Sequence, residues 1–263
     1  MSIAYLNGTW DKVENMKVSV LDRGFLFADS VYEVIPGYYG TPLFLEAHWA
    51  RLCANLKQLN IENPLSVEAF SMLAQRLIDQ TTETPCVNVY VQITRGVQKK
   101  RAHALEQGEI LIPTVFAVAS PYTLFSDDAL AEGFSGITMP DDRWSWGSIK
   151  STSLLANTLA AQAAKVAGAH EAFLIHDGFV VEGAASNIFM VKDGAVYTPP
   201  LTTRILAGIT RAELLDLLKK HNVPFEEELF TLDELYNADE CWMSGSLHGP
   251  RAITRLDGRT IGT

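Results

Sequence analysis

Between residues 143 and 211 the chain changes hydrophobic period abruptly, from that of a helix to that of strands. The segment WSWGSIK ends on a single lysine, Lys150, and opens into SLLANTLAAQAAKVAG, which has helical spacing. Leu154, Leu155, Thr158 and Leu159 fall on one face of the expected helix, with Ser151 or Ser153 as its cap. The period then shortens to that of strands. EAFLIH runs into the turn Asp177-Gly178, then FVVEG, the small-residue loop GAASN and the strand NIFMV. A helix followed at once by hairpins implies a mixed α/β fold.

Glu182 closes the second of these strands, just before the small-residue loop. A lysine and a carboxylate held at the ends of neighbouring elements are what a pyridoxal phosphate enzyme needs. The lysine amine attaches the cofactor covalently, and the carboxylate keeps the pyridine nitrogen protonated so that the ring accepts electrons. Taken alone, a lysine is usually a solvated surface residue and a glutamate at a strand end an exposed carboxylate.

With 263 residues, 48% of them hydrophobic, the chain has enough apolar material for one large domain or two smaller ones. In the first part, IAYLNGTWDKV reads as a hairpin turning at Asn7-Gly8, and MKVSVLDRGFLFADSVYEVIPGYYGTPLFL continues in extended style. EAHWARLCANLKQLN carries the helical stripe Trp49, Leu52, Cys53, Leu56 and Leu59. SVEAFSMLAQRLIDQ buries Val67, Phe70, Leu73, Leu77 and Ile78 on a second helix. CVNVYVQIT alternates as a half-exposed strand, and ILIPTVFAVAS is another strand. The connection through Pro121 marks the boundary between two mixed α/β domains, residues 1–120 and 121–263, the second carrying Lys150. The second part opens with GITMP and includes a helix from Thr210 to His221. Strands near Pro224–Glu228, Cys241–Ser244 and Ala252–Leu256 finish it.

The formal net charge of −10 argues against nucleic acid and anionic membrane surfaces as partners. MSIAYLNGTW lacks the basic stretch and apolar core of a secretory leader, and no apolar run approaches the ~20 residues of a membrane span. Cys53, Cys86 and Cys241 are odd in number and lack metal-ligand spacing, so no metal is expected. They read as small core side chains, reduced in a cytoplasmic protein.

Glu182, Asn187, Phe189, Thr198, Leu206, Gly208, Ile209 and Arg211 stand at the spacing of the class-IV aminotransferase signature. The whole chain resembles the fold-type IV pyridoxal phosphate enzymes, and among them most resembles the D-amino acid transaminases. The resemblance implies a two-domain architecture with the active site at the domain junction. Lys150, before an S-x-x-L-L helix, would be the cofactor lysine and the base that moves the substrate proton. Glu182 would face the pyridine nitrogen. His48, Arg51 and Leu52 keep an H-x-x-R-L pattern in which Arg51 holds the phosphate by its planar fork. Ile209 and Thr210 open a helix after Gly208, so their N–H groups suit the same phosphate. Arg143 matches a position near the cofactor, and Ser244 and Ser246 could donate to it.

Substrate choice rests on Tyr32, Arg101 and His103, which match a carboxylate-binding tyrosine and an Arg-x-His pair. All three donate hydrogen bonds. The family's Arg-x-His loop reaches in from a neighbouring subunit, which implies a homodimer. KKRAH read by itself is also what a solvated basic loop looks like. One extra residue separates Arg95-Gly96 from Arg101 relative to the family pattern. Ser246-Leu247 departs from the transaminases toward the family's aminodeoxychorismate lyases, which keeps pyruvate elimination as an alternative activity. Branched-chain amino acid transamination is a third. His248 has no role in the resemblance, and the chain stops at GRTIGT, short of the terminal helix seen in most relatives.

Overall fold

The computed structural model describes residues 2–81 and 84–262. They form two compact units, Met1–Thr123 with Ile149–Ser153, and Leu124–Ser148 with Leu154–Thr263. Lys150 is therefore counted with the first unit, not with the second domain where the sequence reading put it. The reason is backbone pairing. Tyr32 N–H donates to the Lys150 carbonyl at 2.9 Å, Ser151 forms an isolated bridge with Val31, and Ile149 joins the first core.

The first unit is built on an antiparallel sheet. Its strands are β1 (Ile3–Leu6), β2 (Thr9–Lys12), β3 (Ser30–Tyr38), β4 (Thr41–Pro42), β5 (Cys86–Thr94) and β6 (Thr114–Pro121), in the order β2-β1-β6-β5-β3-β4. Asn7 and Gly8 both have positive φ, 47° and 92°, so the turn twists with its strands and sets the register Leu6↔Thr9. The segment expected to be extended through DRGFLF instead forms a short helix, α1 (Arg23–Phe27), capped by the Asp22 side chain on Gly24 N–H. Asp-Arg-Gly offers a cap followed by a residue with no Cβ. A Cβ at Gly24 would lie 2.4 Å from the Thr94 side chain. The strand expected from Ile110 starts only at Thr114. The β5–β6 ladder begins at Thr94↔Thr114, so residues before it have no partner, and Ile110 and Ile112 stay 86% and 87% exposed.

Helices α2 (Leu45–Gln58) and α3 (Val67–Asp79) cover one face of this sheet. Leu52, Leu56, Phe70, Leu73, Leu77 and Ile78 pack on Val31, Ile35, Val89, Val91, Ile93 and Ala117. Each such side chain contributes on the order of 1.5–3 kcal/mol by leaving water. Val67 is the exception to the expected stripe, exposed in the first turn beside the capping Ser66.

The second unit holds α4 (Asp127–Glu132), β7 (Phe134–Pro140), α5 (Leu155–Val166), β8 (Glu171–His176), β9 (Phe179–Gly183), β10 (Asn187–Lys192) and β11 (Ala195–Thr198). It continues with α6 (Ile209–Lys220), β12 (Phe225–Glu227), α7 (Leu232–Tyr236), β13 (Glu240–Gly245), β14 (Gly249–Leu256) and β15 (Arg259–Thr260). The strand order is β12-β11-β10-β13-β14-β7-β8-β9, and β15 pairs with the end of β14 apart from this order. The β7–β8, β7–β14 and β11–β12 pairs are parallel and the others antiparallel, so the fold is mixed α+β. Helix α5 corrects the expected leucine face. Leu155 and Leu159 are 75% and 62% exposed, whereas Ala160 and Ala164 are buried against Ala172, Leu174 and Ala184. Small residues let the helix approach β8 closely. Neither serine caps it, since its N-cap is Leu154 and Ser151 is engaged with Val31. Among the described residues no helix is long and apolar enough to cross a membrane.

Candidate functional site

Lys150 is held by its backbone on both sides. Its N–H donates to Asn55 Oδ1 at 3.4 Å, and its carbonyl accepts from Tyr32. Its Nζ lies 4.2 Å from the centre of the Tyr32 ring, and that ring stacks on Tyr90. The amine makes no ion pair among the described residues. Two predicted site residues, Lys150 and Tyr32, are thus brought together.

Beneath them lies a buried charge network that sequence reasoning missed. Glu33 on β3 is fully buried. It accepts from Arg51 Nε and Nη2, both at 2.8 Å, and pairs with His48 Nδ1 at 2.7 Å. Burial pushes the Glu33 carboxyl up, but hydrogen bonds from Arg51 and His48 outweigh it and hold the group down at about 2. Burial lowers His48 below its ordinary value, so the neutral ring donates through Nδ1. Its Nε2 and the Nδ2 of Asn55 are buried without a hydrogen-bond partner in the described structure. Arg51 thus makes the expected two-point contact of its fork, but with Glu33. The signal was present, because Glu33 sits at an inward position of a strand flanked by Val31 and Ile35.

Arg101 and His103 lie exposed on the long loop 95–113. Arg101 Cζ is 5.1 Å from the Phe27 ring centre, and the His103 ring is 5.3 Å from the same ring. The hydrogen bonds and ring contacts of the described residues join these two to α1, and join Tyr32 instead to Lys150 and Tyr90.

In the second unit Glu182 ends β9 with its carboxylate buried. Oε1 takes a hydrogen bond from Arg143 Nη1. Oε2 accepts from Asn187 Nδ2 and the Leu206 N–H, each at 3.2 Å. Arg143 is itself a bridge, since its Nε and Nη2 donate to Asp141 at 2.8 and 3.1 Å. One guanidinium therefore serves two carboxylates. Burial pushes Glu182 up to about 7, against the charge and hydrogen bond of Arg143. Such a group gains from a further cation.

Asn187 also donates to the Leu206 carbonyl at 3.0 Å and presses on Gly208, where a Cβ would lie 1.9 Å from Asn187 Oδ1. That contact explains the glycine before α6. Gly208 caps the helix without a side chain, so the first N–H groups, those of Ile209 and Thr210, lack a side-chain acceptor. Ser244, opposite Asn187 in the β10–β13 ladder, is buried with its Oγ unpartnered in the described structure. Ser246 lies in the turn between β13 and β14.

The donors around Ile209 and Ser244 and the buried Glu182 suit a ligand that is anionic at one end and cationic at the other. The Lys150 amine suits an electrophilic carbonyl. These residues fit pyridoxal phosphate.

The comparisons agree in kind. Residues 30–256 match the description "Amino-transferase class IV". The chain is 36% identical over 262 residues to a D-alanine aminotransferase of Staphylococcus aureus (strain N315), covering 99% of this chain and 91% of the relative. It is 37% identical over 257 residues to a D-alanine aminotransferase of Bacillus licheniformis, covering 98% and 89%. Among solved structures, the branched-chain aminotransferase of Thermoproteus uzoniensis with norvaline superposes with a TM-score of 0.87 at 26% identity, over 99% of this chain and 89% of that one.

Proposed function

Because the chain belongs to the class IV aminotransferase family, whose cofactor is pyridoxal phosphate, we propose that it moves amino groups between D-amino acids and 2-oxo acids. The observation that carries this reading is Lys150, clamped through its own backbone with a free-standing amine over Tyr32. When bound, the cofactor supplies an aldehyde for that amine and a ring that accepts electrons.

The chain's own residues do the rest. The Lys150 amine takes the proton from the substrate Cα. Glu182 would face the cationic ring nitrogen, its carboxylate aimed by Arg143, which Asp141 holds in turn. Arg51, the N–H groups of Ile209 and Thr210, and the hydroxyls of Ser244 and Ser246 would hold the phosphate. Tyr32, Arg101 and His103 hold the substrate carboxylate, so that the side chain and not the charge decides which amino acid fits. We infer further that the protein is a cytoplasmic homodimer in which each Arg101 loop serves the partner's site.

The test mixes protein with D- or L-alanine and 2-oxoglutarate and follows pyruvate. A preference for the D isomer supports the reading. Arg101→Ala should raise KM for D-alanine by roughly tenfold to a hundredfold and spare kcat, since the carboxylate is held alike in ground and transition states. Ser246-Leu247 favours the second reading, aminodeoxychorismate lyase. Poor turnover of either alanine, with 4-aminobenzoate formed from aminodeoxychorismate, would establish it instead.

A further inference from the structure

Helix α1 has five residues, too few to persist on its own, yet it is fastened at every point. Asp22 caps it and also accepts from Thr114 Oγ1 at 2.7 Å, and Gly24 is pressed on Thr94. From this seat Arg23, itself buried, reaches into the loop that carries Arg101 and His103. Its Nη1 donates to Gln98 Oε1 at 2.9 Å and to the Ala102 carbonyl at 2.8 Å, and its Nη2 to the His103 carbonyl at 3.0 Å. Gln98, also buried, donates on to the Ala104 carbonyl at 3.3 Å. Three successive carbonyls of a loop without regular structure are thus satisfied by two buried side chains.

The other end of α1 governs the side chains. Phe27 takes the Arg23 guanidinium at 4.9 Å, the Arg101 guanidinium at 5.1 Å and the His103 ring at 5.3 Å from its centre. Arg101 makes no ion pair among the described residues, whereas the neighbouring Lys100 pairs with Glu106 at 2.9 Å. An aromatic face holds a guanidinium without occupying its in-plane N–H donors. Arg101 is therefore fixed in place with its fork left for a carboxylate.

We infer that Arg23 and Phe27 are positioning residues for substrate selection: Arg23 sets the backbone of the loop, and Phe27 orients Arg101 and His103 on it. This rests on the reading of Arg101 and His103 as the carboxylate-binding pair. Loss of the Phe27 ring leaves the chemistry intact but loosens the clamp before substrate arrives.

The experiment uses cofactor-loaded protein and four variants, Phe27→Leu, Phe27→Tyr, Arg23→Lys and Arg101→Ala. Phe27→Leu should raise KM for D-alanine about threefold to tenfold at unchanged kcat, and Phe27→Tyr, which keeps the ring, should match wild type. In the Arg101→Ala background Phe27→Leu should add nothing, because both act on one contact. Arg23→Lys should speed amide hydrogen exchange across residues 96–113 and nowhere else. If Phe27→Leu does not fold, Phe27→Met replaces it. Wild-type KM in Phe27→Leu beside a raised KM in Arg101→Ala overturns the positioning role alone, as do multiplying effects or unchanged exchange. An unchanged KM in Arg101→Ala overturns the carboxylate reading, and this inference with it.

Discussion

Glu33 keeps a full charge in the interior only because Arg51 and His48 supply its donors. A carboxyl of ordinary value 4.5 held at about 2 contributes stability that is fully present above pH 4.5 and disappears as pH falls through 2. The span corresponds to about 3 kcal/mol. Wild type should therefore lose stability across that acid window. Glu33→Gln, which removes the buried charge facing Arg51 and His48, should begin less stable at neutral pH and should show a flatter acid profile. Urea unfolding between pH 2 and 6 checks both. At the same scale, Lys150→Ala should abolish borohydride fixation of the cofactor to the chain and lower turnover by about 10²–10⁴-fold or more, read by peptide mass and by initial rates. The readings of Lys150 and Glu182 rest on local spacing, the S-x-x-L-L run after the first and the class-IV signature that begins at the second. Arg23 was not legible, because it matters through Gln98, Ala102 and His103, far away in sequence, and spacing records only near neighbours.

The elements were legible where one face meets one core. Leu52 and Leu56 of α2, Phe70, Leu73, Leu77 and Ile78 of α3, and the alternation of β5 follow the periods that predict them. Helix α5 misled because large apolar side chains were read as the inward ones, whereas alanine was chosen there for close approach. Ala160→Leu should overpack that contact and cost about 1–3 kcal/mol, measured by thermal or denaturant unfolding. Helix α1 escaped notice because its cap and glycine sit in a run otherwise written like strand, and α7 because its Thr231–Glu234 capping box opens only five helical residues. At the start of α6 a different rule applies. Gly208 has ordinary φ, so its side chain is excluded by Asn187 and not by strain. Gly208→Ala should push Asn187 off Glu182 and weaken cofactor affinity more than it lowers melting temperature. Equilibrium dialysis against pyridoxal phosphate beside a thermal scan tests that order.

At the scale of the molecule, the proposed homodimer predicts complementation. Lys150→Ala and Arg101→Ala protomers, each impaired alone, should regain part of wild-type kcat/KM when subunits are exchanged, because random pairing creates one intact site per hybrid. No recovery after demonstrated exchange would place the Arg101 loop in its own chain's site. That one short segment departs from its sequence neighbours was not foreseeable, since periodicity describes elements and says nothing of which body they join.

That segment, Ile149–Ser153, bears on how the protein is made. Ribosomes deliver the chain from its N-terminus, and most of the first unit emerges long before residue 149 does. Until then the Tyr32 amide lacks its carbonyl, Asn55 Oδ1 lacks its donor and the first core lacks Ile149. Two hydrogen bonds and one apolar side chain are a sizeable part of the margin of a small unit. The nascent first unit is therefore held short of completion during synthesis, and the residues from Leu124 to Ser148 must leave the exit tunnel before it closes. A fragment ending at Thr123 lacks these contacts and should unfold at lower urea than the same unit in the full chain, which urea titration of both would read.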